Sequence, residues 1–302
     1  MWKPRKILVP TDFSRDANRA VYYAAYFSEP YESEVILLHV VSLFEHDPNN
    51  PQHNFPNIDE VYRSLETIAT EQMDQIRQDH SHVQIRKEMI RGVSPAEEII
   101  NFARENQVDL IVMGTHGRSG LSHFLLGSVA EKVIRHMHCP VMTIRYTHGD
   151  TGRAPRLKRI VVPIDFSAYS KQALGHAIEL AGTFGASIEF LHVIEEQVHP
   201  SYYITGDTSI FKLIPDLRER SIAAMKEFVE KEIPDGIEHT FHVREGRAHS
   251  EIVKFAEEQD ADLIVIATHG LSGLDYLLLG STTEKVVRRS KTPVLSVRAE
   301  RV

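Results

Sequence analysis

The sequence predicts an α/β protein made of two successive domains, and three observations lead to this prediction. Continuous apolar runs such as ILV, VILLHVV and LIVM alternate with helix-length stretches, as expected of parallel strands that helices cover on both faces. The motif KILVPTDFS at Lys6 returns as RIVVPIDFS at Arg159, which is 153 positions later. The stretches Asp109–Arg145 and Asp262–Arg298 share 21 identical residues in 37 aligned positions without a gap. A repeat of this length is the size of a whole domain.

Predicted strands and helices alternate through the first half, and the second half repeats this order. The predicted strands cover Lys6–Pro10, Glu34–Val41, His82–Ile90, Val108–Met113 and Val141–Arg145. The helical pattern covers Ser14–Phe27, Asp59–Asp79, Pro95–Glu105 and Gly127–His136, and in the second half Ser170–Phe184, Asp216–Lys231 and Ser250–Glu258. A polar segment rich in Gly, Pro and Arg, Thr147–Lys158, separates the halves. We therefore expect one domain over residues 1–147 and another over residues 156–302.

The composition is that of a globular protein without a general attraction for polyanions. Of 302 residues, 42% are hydrophobic and 25% are charged, and 34 basic against 42 acidic residues give a net charge of −8. This balance argues against nucleic acid and anionic membranes as partners. No stretch approaches the roughly 18 apolar residues of a membrane helix, and the start lacks a signal-peptide pattern. Because Cys139 is the only cysteine, no intrachain disulfide can form, and we expect a cytoplasmic protein.

A glycine-spaced stretch follows the fourth predicted strand of each half. In GTHGRSGLSHFLLGS, Gly114 and Gly117 come directly after the apolar run DLIVM, and Gly127 with Ser128 opens a helix. Glycines let backbone N–H groups approach a ligand, and a helix start offers unpaired N–H groups and a positive dipole end to phosphate. Each glycine taken alone is better explained as a turn residue. The whole constellation instead indicates a phosphate site, with Ser128 as a suitable helix cap.

These motifs together resemble one protein family. The spacing G-x2-G-x9-G-[ST], with PTDFS after the first strand and LLHV in the second, is similar to the universal stress protein family, and within it to members that bind ATP. The resemblance covers nearly the whole chain, once per half. It implies two tandem Rossmann-like domains of the adenine nucleotide alpha hydrolase-like type, each a five-stranded parallel sheet of order 3-2-1-4-5 with helices on both faces. The ligand crevice would lie where the ends of the first and fourth strands meet.

The resemblance also implies an ATP site in each half. Its residues in the first half are Asp12 and Val40 at the adenine end, Met113 and Gly114 beside the base and ribose, and Gly117, Gly127, Ser128 and Val129 at the phosphates. The second site comprises Asp165, Val193, Ile266, Ala267, Gly270, Gly280, Ser281 and Thr282. The implied ligand is ATP, with ADP or AMP as alternatives, together with Mg²⁺.

Two of these positions leave alternatives open. In PTDFS, Asp12 could cap the following helix, either alone or in addition to contacting a ligand. Ala267 stands where the first half has Gly114. If this position needs a left-handed φ or bare backbone against the ligand, a methyl group costs about 1 kcal/mol or more. If φ is negative, alanine fits at little cost, so the second site depends on the backbone here.

Histidines and cations near the glycines are interpreted as structural. His39 and His192 recur in LHV, and His116 and His269 recur in THG. The sequence has no HExxH motif and no Cys/His cluster with ligand spacing, so we expect these histidines to shape loops and no protein-bound metal. The basic residues near the phosphate end are expected to be solvated helix-face charges; they are Arg118, Lys132, Arg135, Lys285 and Arg288.

The segments that follow the second strand of each half differ in both length and chemistry. They begin at Ser42 and at Glu195, and either could lie over the mouth of a pocket. The aromatic residues Tyr202, Tyr203 and Phe211 are candidates for lid or partner contacts, with local packing as the alternative.

The leading functional hypothesis is an ATP-binding regulatory protein of the stress response. No P-loop of the form GxxxxGK[ST] appears and no side chain is clearly placed to activate water, so binding is favoured and any hydrolysis would be slow. The alternatives are a true ATPase or nucleotidyl-transfer enzyme, and a nucleotide-free interaction scaffold. The terminal strands CPVMTIR and TPVLSVR are predicted sheet edges, which the resemblance implies pair the two domains within the chain. A homodimer of chains and an unidentified protein partner are further expectations.

Overall fold

The structure is a computed structural model that describes residues 2–42, 58–117, 126–146, 155–195, 209–269 and 279–298. The chain divides into two compact units, Lys3–Pro155 and Arg156–Val302, with Met1–Trp2 belonging to the second. We call these units the first and the second domain. Both have parallel strands covered by helices, which confirms the predicted α/β class.

The first domain follows the predicted alternation. Its elements are β1 (Lys6–Pro10), α1 (Arg15–Ser28), a 3-10 turn (Glu29–Tyr31), β2 (Glu34–Ser42), α2 (Ile58–Asp79), β3 (Ile85–Gly92), α3 (Pro95–Glu105), β4 (Leu110–Gly114), α4 (Ser128–His136) and β5 (Val141–Ile144). Parallel pairing gives the strand order β3-β2-β1-β4-β5. The register sets Leu8 of β1 between Ile36 of β2 and Ile111 of β4, and all three are fully buried.

The second domain repeats this arrangement. Its elements are β6 (Arg159–Pro163), α5 (Ala168–Phe184), β7 (Ser187–Ile194), α6 (Ile210–Leu213), α7 (Leu217–Val229), β8 (His239–Glu245), α8 (Ala248–Glu258), β9 (Leu263–Ala267), α9 (Ser281–Arg289) and β10 (Val294–Val297). The strand order is β8-β7-β6-β9-β10, again parallel. The one-turn helix α6 contains Phe211 and was not predicted. None of the described helices combines the length and apolar character that crossing a bilayer requires.

The order of the strands determines where a ligand can sit. Right-handed crossovers place α1 and α2 on one face of the first sheet and α3 and α4 on the other. The chain therefore leaves β1 and β4, which are neighbours, toward opposite faces. This divergence opens a crevice at their carboxyl ends, which is where ligands bind in doubly wound sheets.

Several boundaries differ from the predicted ones by one to three residues, and two of these differences have identifiable reasons. Strand β3 begins at Ile85 rather than at His82, because the chain is still turning after α2, where the Val83 N–H donates to the His80 carbonyl at 3.0 Å. Strand β4 extends to Gly114, which pairs with Ile144 of β5. The second difference brings the first glycine of the motif into the sheet itself.

A buried histidine makes the first domain sensitive to acid. His80, just after α2, is 4% exposed, and its ring meets the Tyr22 ring of α1 edge-on with centroids 4.4 Å apart. Burial lowers the pKa of His80 from its usual value of 6.5, and the nearby His82 lowers it further while Asp79 opposes this. Because the unfolded chain binds this proton more readily, the stabilising contribution is complete above pH 6.5 and is lost as the pH falls.

We predict that His80→Phe makes the stability of the protein less dependent on pH. Phenylalanine keeps an aromatic ring against Tyr22 but cannot bind a proton. The fall in the free energy of unfolding between about pH 7 and about pH 5 should therefore be shallower than in the wild type. Urea denaturation at a series of pH values measures this slope, and an unchanged slope would contradict the assignment.

Candidate functional site

A cavity of about 480 Å³ lies at the carboxyl end of the first sheet. It is bordered by the ends of β1, β2 and β4, the starts of α3 and α4, and one side of α2. All eight residues predicted for the first site line it, namely Asp12, Val40, Met113, Gly114, Gly117, Gly127, Ser128 and Val129. The structure thus brings together residues that lie up to 117 positions apart in sequence, and their contact with a ligand stays a prediction.

The β1–α1 turn holds Asp12 at the edge of this cavity. The Asp12 Oδ1 atom accepts a hydrogen bond from the Ser14 N–H at 3.0 Å, and the Thr11 hydroxyl accepts from the Phe13 N–H at 3.0 Å. Ser14, not Asp12, caps α1, because its hydroxyl accepts from the Ala17 N–H. Asp12 therefore shapes the turn before the cap, and this role leaves its carboxylate at the cavity wall.

The same turn recurs in both domains and is held by the histidines of the LHV motif. Phe13 has φ 64° and Phe166 has φ 62°, a left-handed conformation that costs energy for a bulky residue. The His39 Nδ1 atom donates to the Thr11 carbonyl at 2.8 Å, and its ring lies 4.6 Å from the Phe13 ring. His192 contacts the Ile164 carbonyl at the same distance. Since a carbonyl only accepts, Nδ1 carries the proton in both rings.

Gly114 is required by packing against α1. A Cβ atom there would lie 2.7 Å from the Asp16 Cβ and 2.9 Å from the Ala17 backbone nitrogen. The described glycines with left-handed φ are Gly185, Gly236 and Gly246, and all three lie outside the motif. The sequence suggested two reasons for a glycine here, a left-handed φ and a ligand against bare backbone. Neither is needed, because the contact with α1 already explains Gly114.

The start of α4 differs from the prediction that Ser128 caps it. Gly127 is the N-cap residue, with φ −61° and ψ 140°, because its carbonyl accepts the first helical hydrogen bond from Glu131. The Gly127 N–H donates to the Thr115 carbonyl at 2.8 Å, and a Cβ atom on Gly127 would lie 2.9 Å from that oxygen. No side chain caps this helix among the described residues.

The consequence is a set of three backbone donors at the cavity. The N–H groups of the first residues of a helix have no partner within it. In α4 these belong to Ser128, Val129 and Ala130, and all three residues line the cavity. Helix α9 of the second domain starts in the same way, since Gly280 is its N-cap and donates to the Thr268 carbonyl at 2.8 Å.

A buried carboxylate that the sequence did not reveal fixes the loop after β4. Asp16 Oδ2 accepts from the Thr115 hydroxyl and from the His116 N–H, both at 3.1 Å, and lies 3.2 Å from the His116 Nδ1 atom. Asp16 Oδ1 accepts from the Tyr146 N–H at 3.1 Å, just after β5. One side chain of α1 therefore joins the first residues of the glycine loop to the end of β5.

The Asp16 network also orients the THG histidine of the first domain. An Arg145 Nη2 atom lies 3.4 Å from His116 Nε2 and can only donate, so Nε2 accepts and Nδ1 donates toward Asp16. Burial lowers the pKa of Arg145, and the charge of Asp16 opposes this. The repeat has Tyr169 in place of Asp16, with its ring 5.9 Å from the His269 ring. A comparison of the repeats at this position could have drawn attention to Asp16.

Of the cations predicted near the phosphate end, those that the structure describes do not line the cavity. Lys132 forms an ion pair with Glu97 at 2.6 Å, and Arg135 pairs with Glu131 at 2.7 Å on α4 itself. Arg288 pairs with Glu284 in the same way on α9. The cavity lining, all of it within the described residues, includes no Lys or Arg side chain. Arg118 lies outside the described residues. Over the described part of the chain, no group of three or more His, Cys, Asp or Glu side chains is arranged to hold a metal ion.

The carboxyl edge of the second domain has a carboxylate after β7 where the first domain has a serine. Asp165 Oδ1 accepts from both the N–H and the hydroxyl of Ser167. Glu195, at the end of β7, accepts from the Ala248 N–H at the start of α8 at 2.8 Å. The repeat-related positions of the first domain are Ser42 and Pro95. Ala267 is buried at the end of β9. Gly270, Tyr202 and Tyr203 lie outside the described residues, and Phe211 lies under the Arg218 guanidinium at 4.5 Å.

Comparison with known proteins decides the family. The model of the universal stress protein family matches residues 3–145 and again residues 156–298. The chain belongs to the universal stress protein family. Universal stress protein MJ0531 of Methanocaldococcus jannaschii is 36% identical over 141 residues, which are 47% of this chain and 82% of that protein.

Two further universal stress proteins match over almost the full chain. One from Mycolicibacterium smegmatis is 27% identical over 299 residues, which cover 97% of this chain and 96% of that protein. The crystal structure of another, from Archaeoglobus fulgidus, matches with a TM-score of 0.67 and 25% identity, covering 97% of this chain and 96% of that one. The tandem arrangement of two family domains is therefore shared with other members.

The packing at Gly114 predicts that reciprocal substitutions in the two domains change the free energy of unfolding by different amounts. Gly114→Ala should lower the free energy of unfolding by about 1–3 kcal/mol, because the methyl group must displace the backbone of α1. Ala267→Gly in the second domain should change it by no more than about 1 kcal/mol, the ordinary cost of added chain freedom. Urea denaturation of the two variants makes the comparison, and equal effects would show that the α1 contact does not explain Gly114.

Removal of the buried carboxylate is predicted to be costly. Asp16→Ala leaves the Thr115 hydroxyl and the His116 and Tyr146 N–H groups without their acceptor, so the free energy of unfolding should fall by at least about 2 kcal/mol. Asn18→Ala, an exposed position on the same helix, is the matched control and should change it by less than about 0.5 kcal/mol. A loss at Asp16 no larger than at Asn18 would contradict the network.

Proposed function

We propose that the first domain binds an adenine nucleotide and that the protein is a nucleotide-responsive regulator. The observation that supports this most directly is the start of α4, where no described side chain caps the helix and the first three residues border the 480 Å³ cavity. A cavity of this size lies in the range that small-molecule sites occupy. The resemblance to ATP-binding universal stress proteins names ATP as the ligand, with ADP and AMP as alternatives.

The phosphates are proposed to lie at the β4–α4 side of the cavity. The N–H groups of Ser128, Val129 and Ala130 and the positive end of the α4 dipole favour phosphate oxygens there. Gly117 also borders the cavity, and because the Asp12 carboxylate approaches it closely, we place it between the phosphate end and the adenine end. Because no Lys or Arg is found in the described lining of the cavity, we propose that the charge of the phosphates is balanced by backbone dipoles and by Mg²⁺ bound together with the nucleotide.

The adenine is proposed to lie at the β1–β2 side of the cavity. The Asp12 carboxylate and the main chain of Val40 border this side and can accept hydrogen bonds from the adenine amino group. The same acceptors repel the O6 atom of guanine, so they favour adenine. Met113, at the end of β4, supplies an apolar contact between the two sides of the cavity.

The same geometry favours binding over turnover. Rapid phosphoryl transfer usually needs a positive group at the transferred phosphate and a group that orients the nucleophile. The described lining has no cationic side chain apart from histidine rings, and Asp12, His39 and His116 are each engaged in the hydrogen bonds that shape the turn and the loop. We therefore propose that any hydrolysis is slow and that occupancy of the site is the signal.

A second site in the second domain is proposed as the weaker of the two. The bare helix start at Ser281 and Thr282 and the turn around Asp165 repeat the first site. Glu195, however, places a carboxylate at the neighbouring strand end.

Calorimetric titration of the purified chain with MgATP gives the stoichiometry, and mass spectrometry of molecules that copurify identifies a resident nucleotide. A chain that binds no adenine nucleotide in either measurement would refute the proposal.

A proline at the first position of α4 tests the proposal without disturbing the fold. Proline lacks an N–H group and suits this position, and the Gly127 ψ of 140° is the conformation that a residue before proline prefers. Ser128→Pro should weaken MgATP binding by about 10- to 100-fold, the effect of losing one hydrogen bond to a charged group. Titration calorimetry measures this change.

Two further variants are the controls. Ser128→Ala keeps the N–H group and loses only the hydroxyl, so it should weaken binding less than Ser128→Pro does. Ser281→Pro makes the matched change in the second domain and removes a donor there alone, so the stoichiometry after each change shows which domain holds the nucleotide. Equal affinities of the Ser128→Pro variant and the wild type would mean that the start of α4 does not contact the phosphates.

A further inference from the structure

Helix α2 exposes an apolar surface that has no role in the proposed phosphate or adenine contacts. Of the seven large apolar side chains that are exposed in the described part of the chain, three lie on this helix. They are Val61, Leu65 and Ile68, which are 41%, 40% and 54% exposed. Clustered apolar side chains in water are unfavourable, and such a patch commonly marks a contact site.

Two of these three side chains belong to the cavity. Leu65 and Ile68 line it, together with Ala69 and Gln72 of the same helix, whereas Val61 is not among the lining residues. Leu65 and Ile68 are therefore exposed to the space that a ligand would fill. The start of α3 borders the cavity with two further apolar residues, Pro95 and Ile99. Since α2 and α3 lie on opposite faces of the sheet, the cavity has apolar groups on both sides of the end of β2.

The two ends of the cavity differ in polarity, and this difference favours an occupant that has two unlike ends. Around β2, α2 and α3 the lining is mainly apolar, with Val40 and Val41 at the strand end. The β4–α4 side includes three glycines, the polar residues Thr115 and His116, and the first residues of α4. A molecule that matches both ends has a flat apolar group joined to an anionic group. A nucleotide has this form, whereas inorganic polyphosphate would leave the apolar end in contact with water.

We infer that Leu65 and Ile68 of α2 form the wall against which the base of the nucleotide packs. This inference rests on the proposed function and adds to it the residues that favour a planar heterocycle. Both side chains would be partly buried by the ligand, which is favourable in proportion to the apolar area removed from water. Gln72, one turn after Ile68, is the polar side chain on this wall and can both donate to and accept from a base edge.

The second domain differs at this wall. The buried pair Ala69 and Met73 of α2 has the same spacing as the buried pair Met225 and Val229 of α7. When these pairs are aligned, Leu65 corresponds to Ser221 and Ile68 to Ala224. The Ser221 hydroxyl donates to the Leu217 carbonyl of its own helix at 2.8 Å, and Ala224 is exposed. These smaller side chains remove part of the apolar surface for a base. The α2 wall therefore gives a reason, independent of Ala267 and Glu195, for tighter binding in the first domain.

Calorimetric titration of the full chain with the magnesium complexes of ATP, ADP and AMP tests the wall. The double variant Leu65→Ala/Ile68→Ala should weaken the binding of each nucleotide by about tenfold. The factor should be the same for all three ligands, because they share the base and differ in the phosphates. Val61→Ala removes an equally exposed side chain of the same helix outside the cavity, and it should leave all three affinities within about twofold of the wild type. Alanine favours helix, so α2 is expected to persist in these variants.

The outcomes separate this inference from the proposed function. If the wild type binds none of the nucleotides, the proposed function is refuted and the wall with it. If the wild type binds ATP and the double variant binds it equally well, the wall is refuted while the proposed function stands. A loss that grows with the number of phosphates, or one that Val61→Ala reproduces, also overturns the wall, because α2 would then act on the phosphates or on the fold as a whole.

Discussion

The candidate site depends on the close approach of the end of β4 to the start of α1. Gly114 meets the backbone of Asp16 and Ala17 at distances that exclude any Cβ atom. This approach lets the Asp16 carboxylate reach the Thr115 hydroxyl and the His116 N–H, and so fixes the direction in which the glycine loop leaves the sheet. Thr115 in turn supplies the carbonyl to which Gly127 donates, which sets the start of α4. In the first domain, the Asp16 hydrogen bonds and the Thr115–Gly127 hydrogen bond therefore hold the two ends of the loop.

Comparison of the two repeats distinguishes the features that the fold requires from those that a binding site would require. Both keep the strained turn at Phe13 and Phe166, the histidine that holds it, and the glycine N-cap at the last helix. These features concern backbone geometry and recur because the sheet and its crevice need them. The repeats differ in side chains that face the crevice or its loop, with Tyr169 in place of Asp16 and Ala224 in place of Ile68. The duplicated domain thus retained its framework while the surroundings of the crevice diverged.

Sequence patterns predict the order of the elements and the position of the crevice, because apolar runs and strand ends are local properties. The eight residues of the first site come together since they lie at strand and helix ends that parallel topology places at one edge. The reason for Gly114 and the role of Asp16 could not be predicted, because they depend on distances between groups about 100 positions apart. The α2 wall escaped prediction as well, since an exposed Leu or Ile is meaningful only when the cavity beside it is known. The predicted N-cap of α4, Ser128, lies one residue after the observed one, Gly127, and helix ends are commonly assigned with this uncertainty.

A site built from backbone donors suits a regulator better than a catalyst. Amide N–H groups do not titrate near neutral pH, so their attraction for phosphate does not depend on the protonation of the protein. Such groups can stabilise a bound nucleotide without supplying the groups that speed its hydrolysis. A nucleotide at 100 times its dissociation constant stabilises the folded form by about 2.7 kcal/mol. In the proposed site this stabilisation would act on Ser128, Val129 and Ala130, the first residues of α4. The proposed signal therefore depends on the helix that follows the glycine loop.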